Sequence, residues 1–511
     1  MRKSRVTLLH LGLTGLLTGL HCYSPAQQVQ VQYNTGTTYQ TIRNFSASDA
    51  WSCQFTGNWP DAKKNAMADW LFSMDTLGDG SPKGIGLSLW RMNIGAGSTQ
   101  QGANSGIRDE WRRASALALD GTPESAEVKA QLWFMQAARS RGVEQFLGFY
   151  NSPPVQLTRN GKAFATNKVT NIDSTQYSAF AAQTVKAVQH IKTATGITLD
   201  YLSPINEPQW DWSDGGQEGS PYYNREISGV FKAMHTAFKS NGLTTKLLVG
   251  EAGSHKYMLP NSDRPGKDDQ VKAFFQKNPT TYLGNLNTIS RTIASHSYFS
   301  TSPAAEAIDL RKRVAAQVAG VKGLEFWQSE YCILGDNAGE IDGNKKDTGI
   351  TAALYVAGVI HKDLVYANAA AWQWWIAISA YDYKDGLIYI DQKKEDGNYS
   401  DSKMLWALGN YSRFVRPGMR RFEVATTSNV QASGFAGAGN KELVFVLVNA
   451  GNEAQQVSLV NARGNKNTSA VPVTTYTTSA AGKLLKGSAT AANTTIPAKS
   501  IVTVILQTKK K

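Results

Sequence analysis

Two short stretches of this 511-residue sequence place a glutamate at the end of an apolar run. One is Ser203-Pro204-Ile205-Asn206-Glu207-Pro208, closing residues 199–205; the other is Trp327-Gln328-Ser329-Glu330-Tyr331, following residues 323–327. Two carboxylates carried at the C-terminal ends of different strands can face one another across the mouth of a parallel barrel. Such a pair is the minimum equipment for cleaving a glycosidic bond, one group attacking the anomeric carbon and one protonating the departing oxygen. Glu251 is a third carboxylate at a strand end, so a different pairing stays open on this pattern alone.

The elements that must position these groups can be read from periodicity. Between about residues 40 and 380, strand-like runs end near Ser48, Met92, Tyr150, Ile205, Gly250, Ser297, Gln328 and Trp375. Amphipathic stretches, among them 127–141, 175–195, 224–240 and 309–321, lie between them. Eight strands alternating with helices predict an α/β fold, a (β/α)₈ TIM barrel. The rival, an open doubly wound sheet, normally shows a glycine-rich first turn, and none is present.

In a barrel the strand ends point into one basin, and here they carry polar and aromatic residues at nearly every position. These are Asp49 and Trp51 on the first strand, Arg91 on the second, Asn151 on the third and Asn206-Glu207 on the fourth. Glu251 ends the fifth, His296 and Tyr298 the sixth, Glu330 the seventh, and Trp372-Gln373-Trp374-Trp375 the eighth. A lone histidine or glutamate is usually a satisfied structural group; a full ring of them is hard to attribute to packing. Successive strand residues face opposite sides, so only one of Trp374 and Trp375 is expected beneath a sugar, and Trp374 is favoured. The loop 209–219, with Trp210, Trp212, Gln217 and Glu218, follows Glu207 directly and is expected to shape the cleft.

Beyond about residue 410 the pattern becomes short Val/Thr/Leu runs at 443–448, 456–460, 471–476 and 500–506, separated by turn residues. This predicts a C-terminal β-sandwich attached to the barrel. Residues 29–33 also read as a strand, one that can pair with that domain. The expected division is a leader over 1–26, a joining strand over 27–40, the barrel over 41–408 and the sandwich over 409–511. The leader has a basic start at Arg2, Lys3 and Arg5, a glycine-interrupted apolar run, and Ser24-Pro25-Ala26, as in a secretory signal cleaved near Ala26. Export to the periplasm or the outside is then expected, without stable membrane insertion.

Cleavage would lower the formal charge from +13 to +10, with three more positives in Lys509-Lys510-Lys511. The remaining basic residues are scattered, which speaks for solubility and against nucleic acid. Cys53 and Cys332 are the two cysteines of the mature chain, open to a single disulfide or two buried thiols, and lack zinc-site spacing. Gly95-Ala96-Gly97 is too short for a phosphate loop. No metal or cofactor is expected, and nothing in the sequence speaks to oligomeric state.

Asn206-Glu207-Pro208 on a fourth strand with Glu330 on a seventh resembles the large clan of retaining (β/α)₈ glycoside hydrolases. Asn44-Phe45-Ser46-Ala47-Ser48-Asp49-Ala50-Trp51, Asn151-Ser152-Pro153-Pro154 and Ser329-Glu330-Tyr331-Cys332 narrow the resemblance to glycoside hydrolase family 30, with the endo-β-1,6-galactanase-like branch most similar. Asn44-Phe45-Ser46 departs from the Gly-Phe-Gly common there. The resemblance implies that Glu207 is the acid/base and Glu330 the nucleophile of a double displacement on β-linked glycans. Arg91 is then placed to hold Glu330 ionised, and Asn206 to meet the sugar 2-hydroxyl. Trp51, Trp210, His296, Tyr298, Trp374, Asp49 and Asn151 become substrate-binding candidates. A β-1,6-glucanase, xylanase or exo-β-glycosidase on the same scaffold is the rival within this class. A carbohydrate-binding protein without catalysis is the rival outside it, although binding alone requires neither glutamate.

Overall fold

The computed structural model describes residues 28–335, 337–462 and 471–508. The expected leader over 1–26, with Cys22, and the terminal lysines 509–511 lie outside the described residues. Strand β1 (Val29–Thr41) is followed by β2 (Asn44–Ser48), β3 (Leu89–Asn93), β4 (Gln145–Phe149), β5 (Tyr201–Ser203), β6 (Lys246–Ala252), β7 (Ile289–His296), β8 (Glu325–Glu330) and β9 (Ala371–Ser379). Strands β2 to β9 are parallel neighbours in sequence order, and β9 pairs with both β8 and β2, which closes the barrel. Strand β10 (Gly386–Ile390) extends the end of β9 in parallel, and β11 (Tyr399–Asp401) pairs antiparallel with β10.

The helices between strands follow from their sequences. Helix Ala126–Ser140 starts where the Ser125 hydroxyl accepts the Val128 N–H at 3.2 Å, which satisfies one of the orphan donors of a helix start. It buries Val128, Leu132, Phe134, Met135 and Ala138 against the barrel. Helix Asn224–Ser240 places Glu226 in its first turn, where the carboxylate accepts the Tyr223 N–H at 2.7 Å. Helix Tyr177–Thr195 stops at Gly196, whose φ of 74° is a conformation that glycine adopts without a Cβ penalty.

The C-terminal strands are β12 (Arg420–Thr426), β13 (Gln431–Ala436), β14 (Glu442–Asn449), β15 (Gln455–Asn461), β16 (Pro472–Thr478), β17 (Leu485–Thr490), β18 (Thr494–Ile496) and β19 (Ser500–Gln507). Instead of two separate sheets, hydrogen bonds join them and β1 into one, in the order β17-β16-β19-β14-β13-β12-β1-β15-β18. Val31, Phe445, Leu459, Val473, Ile496 and Val504 share one apolar cluster although their strands span the sheet. The sheet therefore folds over itself, enclosing a core as a sandwich does. Strand β1 lies between β12 and β15, antiparallel to one and parallel to the other.

Residues of alternate parity on that sheet, Phe435, Val444, Val446, Val448 and Ile501, belong instead to the barrel's apolar core. Helix Lys403–Ser412 lies at this junction and spans residue 408, where the change of texture falls. Its Asn410 side chain donates to the Tyr476 carbonyl at 3.1 Å and to Thr503 Oγ1 at 3.0 Å. Apolar packing reinforced by buried hydrogen bonds fixes one domain on the other.

Candidate active site

Three of the barrel strands carry an extra residue near their C-terminal ends. On β6, Gly250 pairs with Ala294 but Ala252 with Ser295, which leaves Glu251 as the bulge residue. On β8, Gln328 pairs with Ser295 but Glu330 with His296, so Ser329 is extra. On β9, Trp374 pairs with Ala47 but Ile376 with Ser48, so Trp375 is extra, and its N–H turns to the Tyr331 carbonyl at 2.9 Å. A bulge re-aims the side chains beyond it. That is why Ser329 and Glu330, adjacent in sequence, both act at the barrel mouth.

Glu330 is 3% exposed and takes a hydrogen bond from Arg91 Nη1 to Oε2 at 2.6 Å and one from the Tyr298 hydroxyl to Oε1 at 3.2 Å. Arg91 is fully buried, with its guanidinium 3.9 Å from the centre of the Phe149 ring. Its Nη2 reaches Asn206 Oδ1 at 3.4 Å and Glu251 Oε2 at 3.5 Å. Burial raises the Glu330 carboxyl above its ordinary value, and the charges of His296 and Arg91 oppose that rise.

Glu207 begins the turn after β5 with φ of 43°, and its N–H donates to the Glu251 carbonyl at 2.8 Å. His296 Nδ1 lies 2.9 Å from Glu207 Oε1 and 3.5 Å from Glu330 Oε1, and its Nε2 lies 3.0 Å from Glu251 Oε2. Burial alone would lower the His296 pKa, but the Glu330 charge and the bonds to Glu207 and Glu251 push it up to about 10. The ring is an imidazolium, so both nitrogens donate. Glu251 has no exposure, and it also accepts from Ser203 Oγ at 2.7 Å and Ser329 Oγ at 2.6 Å. Burial would raise its carboxyl, yet the Arg91 charge and the His296 bond hold it down at about 2. When Glu207 carries a proton, the two buried cations match the two buried anions.

The pair opens into a cleft of about 720 Å³. Of the residues expected to bind substrate, Trp51, Trp210 and Tyr298 line it with Glu207 and Glu330, while Arg91 and His296 lie beneath and hold the carboxylates, and Asn206 accepts from Arg91. Trp51, Glu207, Trp212 and Phe299 all line the cleft with φ between 43° and 63°. Left-handed backbone costs a non-glycine residue roughly 1–3 kcal/mol and persists where the surroundings impose it.

Three expected contacts are placed elsewhere. Trp374 has no exposure and donates Nε1–H to the Asp385 carbonyl at 2.6 Å, whereas Trp375 lines the cleft. Alternation holds, with one of the two tryptophans on the cleft, but it is Trp375 and not the favoured Trp374. Asp49 is also fully enclosed: Oδ1 accepts the Asn93 N–H at 2.7 Å and Oδ2 the Gln131 amide at 3.2 Å. Burial pushes its carboxyl up to about 8. It braces the end of β3 against helix Ala126–Ser140 rather than meeting a ligand. Asn151 is 4% exposed at the end of β4 and is not on the cleft wall.

Glu251 cannot replace either member of the pair, because it is sealed beneath them. Glu218, in the loop after Glu207, accepts from Ala96 N at 3.0 Å and from Ser98 Oγ at 2.6 Å. The Ala96 amide of the Gly95-Ala96-Gly97 turn is therefore used by an internal carboxylate. Cys53 and Cys332 are both buried free thiols, and Cys332 lines the cleft. Single ligand atoms of Glu207, His296 and Glu330 lie within 4.8 Å of one another. Such spacing can embrace a cation, but the imidazolium and Arg91 already supply positive charge there. Cleft residues that sequence reasoning missed include Arg112, Tyr381 and Asp385. Arg112 comes from a long connection after β3 with no periodic pattern, and the other two lie past the eighth strand.

Three comparisons place this geometry among known proteins. A conserved exported protein from Bacteroides fragilis superimposes with a TM-score of 0.84 at 33% identity, covering 93% of this chain and all of that one. Glucuronoxylanase XynC of Bacillus subtilis (strain 168) is 27% identical over 382 residues, which is 74% of this chain and 72% of the relative. The catalytic domain of xylanase C from Talaromyces cellulolyticus shares the fold, with a TM-score of 0.67 at 20% identity over 94% of this chain and all of that one. Residues 28–389, which carry the whole closed barrel and both facing carboxylates, match the family model of O-glycosyl hydrolase family 30, and the chain belongs to that family.

Proposed function

We propose that this glycan-cleaving hydrolase is exported and acts by retention, with Glu330 as nucleophile and Glu207 as acid/base, on β-linked glycans of the endo-β-1,6-galactanase type. One observation carries the mechanism: one carboxylate oxygen of Glu207 and one of Glu330 lie within 4.8 Å of each other. So short a gap between oxygens fits the carboxyl separation of about 5–5.5 Å in retaining enzymes better than the roughly 6.5–9.5 Å that inverting ones need to admit a water.

A Glu330 oxygen attacks the anomeric carbon while the Glu207 proton passes to the departing glycosidic oxygen. The product of this step is a glycosyl ester on Glu330 and a carboxylate on Glu207. That carboxylate then takes a proton from water, the water oxygen attacks the anomeric carbon, and Glu330 departs as an ion. The His296 imidazolium holds Glu207 in place through both half-reactions by donating to Oε1. Arg91 and Tyr298 orient Glu330 for attack. Asn206, whose Oδ1 is turned to Arg91, presents its amide NH₂ to the 2-hydroxyl. Trp375, Trp51 and Trp210 offer apolar faces to sugar rings.

The linkage reading rests on the resemblance of the mature chain as a whole to the galactanase-like branch, from which Asn44-Phe45-Ser46 departs. Xylan cleavage is a second reading, favoured by the 27% identity to a glucuronoxylanase. Export is supported by the leader-like residues 1–26 and by the likeness to an exported protein. Among the described residues, no helix is long and apolar enough to cross a membrane. A panel of β-1,6-galacto-, β-1,6-gluco- and β-1,4-xylo-oligosaccharides tests the substrate, with proton NMR of the first-formed sugar. Cleavage of the β-1,6-galactan series with a β product is expected; an α product overturns retention, and exclusive cleavage of xylan overturns the linkage.

A further inference from the structure

The cleft has one wall whose polar atoms the mechanism leaves unused. Asp385 lines the cleft, is 4% exposed, and its Oδ1 has no hydrogen-bond partner among the described residues. Arg112 lines the same cleft; its Nε forms no hydrogen bond and lies 3.9 Å from Asp109 Oδ2. Its guanidinium lies 4.8 Å from the centre of the Trp51 ring and 5.1 Å from that of Tyr381. Protein interiors seldom leave a polar atom such as Asp385 Oδ1 unpaired. An unpartnered carboxyl oxygen on the same cleft wall as a guanidinium calls for a ligand.

The wall is also rigid. Asp385 sits between β9 and β10; Trp374 donates to its carbonyl, and Gly386 after it pairs with Ile376. A Cβ on Gly386 would come within 2.7 Å of the Ser379 Cβ, so the chain there admits only glycine. Tyr381 is tied down through its hydroxyl to Asp109 Oδ2 at 2.8 Å. The wall reaches the reacting centre through Cys332, two residues past Glu330, whose Sγ lies 3.8 Å from the Tyr298 hydroxyl and feels the Asp385 charge.

We propose that Asp385 and Arg112 form a sugar-binding subsite, in which Asp385 takes a hydrogen bond from one hydroxyl of an uncharged pyranose and Arg112 donates to a neighbouring oxygen. This rests on the hydrolase reading above and names the sugar chemistry of that site. Trp51, which packs edge-on against Trp375 and Tyr381, lines the same cleft with them, and these rings supply the apolar faces a pyranose needs. Where Asp385 is ionised the wall disfavours a uronate, because two carboxylates would then face one another. Burial pushes the Asp385 carboxyl up to about 7, against the Ser379 hydrogen bond and the Arg112 charge, so near neutrality it can give or accept a hydrogen.

The test pairs residue changes with hydroxyl deletions on whichever oligosaccharide the wild-type protein cleaves. Wild type, Asp385→Asn, Asp385→Ala and Arg112→Ala are assayed on that substrate and on its monodeoxy analogues, with near-UV circular dichroism reporting the fold. One deoxy position is expected to cost wild type about tenfold or more in kcat/KM. The same deletion should cost Asp385→Ala almost nothing further, while penalties at other positions persist. Asp385→Asn, of nearly the same shape, keeps the fold if Asp385→Ala does not. If every deoxy penalty is the same in folded Asp385 variants as in wild type, or if wild type prefers a uronosyl-bearing glycan, the subsite is overturned. Absence of any cleavage by wild type would instead sink the hydrolase reading beneath it.

Discussion

His296 lies 2.9 Å from Glu207, with its Nδ1 facing Oε1, in a ring that is itself sealed from solvent. The opposite nitrogen faces Glu251 at 3.0 Å, so a hidden carboxylate joins Glu330 and Glu207 in holding the ring charged. Part of the charge balance at the centre thus rests on a group sealed beneath the cleft.

This arrangement predicts how stability varies with pH. Folding raises His296 from its ordinary 6.5 to about 10, so its contribution is complete below 6.5 and lost as pH rises through 10. Folding lowers Glu251 from 4.5 to about 2, so its contribution is complete above 4.5 and lost as pH falls through 2. From these two groups, stability is greatest between about pH 4.5 and 6.5. Glu251→Gln leaves the buried imidazolium short of a counter-ion, at a cost of roughly 3–5 kcal/mol. Urea unfolding at pH 6 and pH 9 measures both effects. Equal stability of variant and wild type at pH 6 would remove Glu251 from this role.

The two proposed catalytic carboxylates should fail in different ways. Glu330→Ala is expected to lose on the order of 10⁴-fold or more in turnover. Azide, entering the space vacated by the carboxylate, should restore it and leave an inverted glycosyl azide, since only one displacement then occurs. Glu207→Ala should lose about 10²–10⁴-fold on natural glycans, whose leaving oxygen needs a proton, and far less on aryl glycosides with acidic phenols. Unimpaired turnover by Glu330→Ala would sink the nucleophile assignment.

Trp374 and Trp375 separate binding from packing. Trp375→Ala should raise KM, because its face lines the cleft, and also cost stability, because the ring is only 6% exposed. Trp374→Ala should cost roughly 3–5 kcal/mol of stability, as a fully buried ring that also gives up its bond to the Asp385 carbonyl. Calorimetry alongside steady-state kinetics tells the two apart, and the reversed pattern would contradict the bulge on β9.

The same bulge shows how far the sequence could be read. The eight barrel strands were legible because each is an apolar run closed by polar residues, and the ladder keeps their order. Helix Asn224–Ser240 has the bounds expected of it, since Glu226 and the apolar stripe mark them. Bulges at Glu251, Ser329 and Trp375 leave no mark in composition, yet each reverses the facing of the residues beyond it. Alternation separates Trp374 from Trp375 but does not say which of them faces the cleft. Strands β13, β17 and β18 were also illegible, being short and rich in Gly, Ser and Thr, and so was β12, whose charged Arg420, Arg421 and Glu423 break its apolar pattern. Residues such as Arg112 and Asp385 reach the cleft only through tertiary folding of loops.

Asp49 tests whether burial or ligand contact explains a polar strand end. Its carboxyl, ordinarily at 3.8, is raised to about 8 by burial, so the folded protein holds a proton there that the unfolded chain releases. The sign is unfavourable: from this group, stability falls as pH rises from about 4 towards 8. Asp49→Asn keeps an acceptor for the Asn93 N–H, cannot ionise, and abolishes that slope. The variant should match wild type near pH 4 and exceed it at pH 8 and above, with KM unchanged because the side chain does not reach the cleft. Melting temperatures across that range, with KM at one pH, are the measurement. A raised KM with unaltered pH dependence would return Asp49 to the substrate.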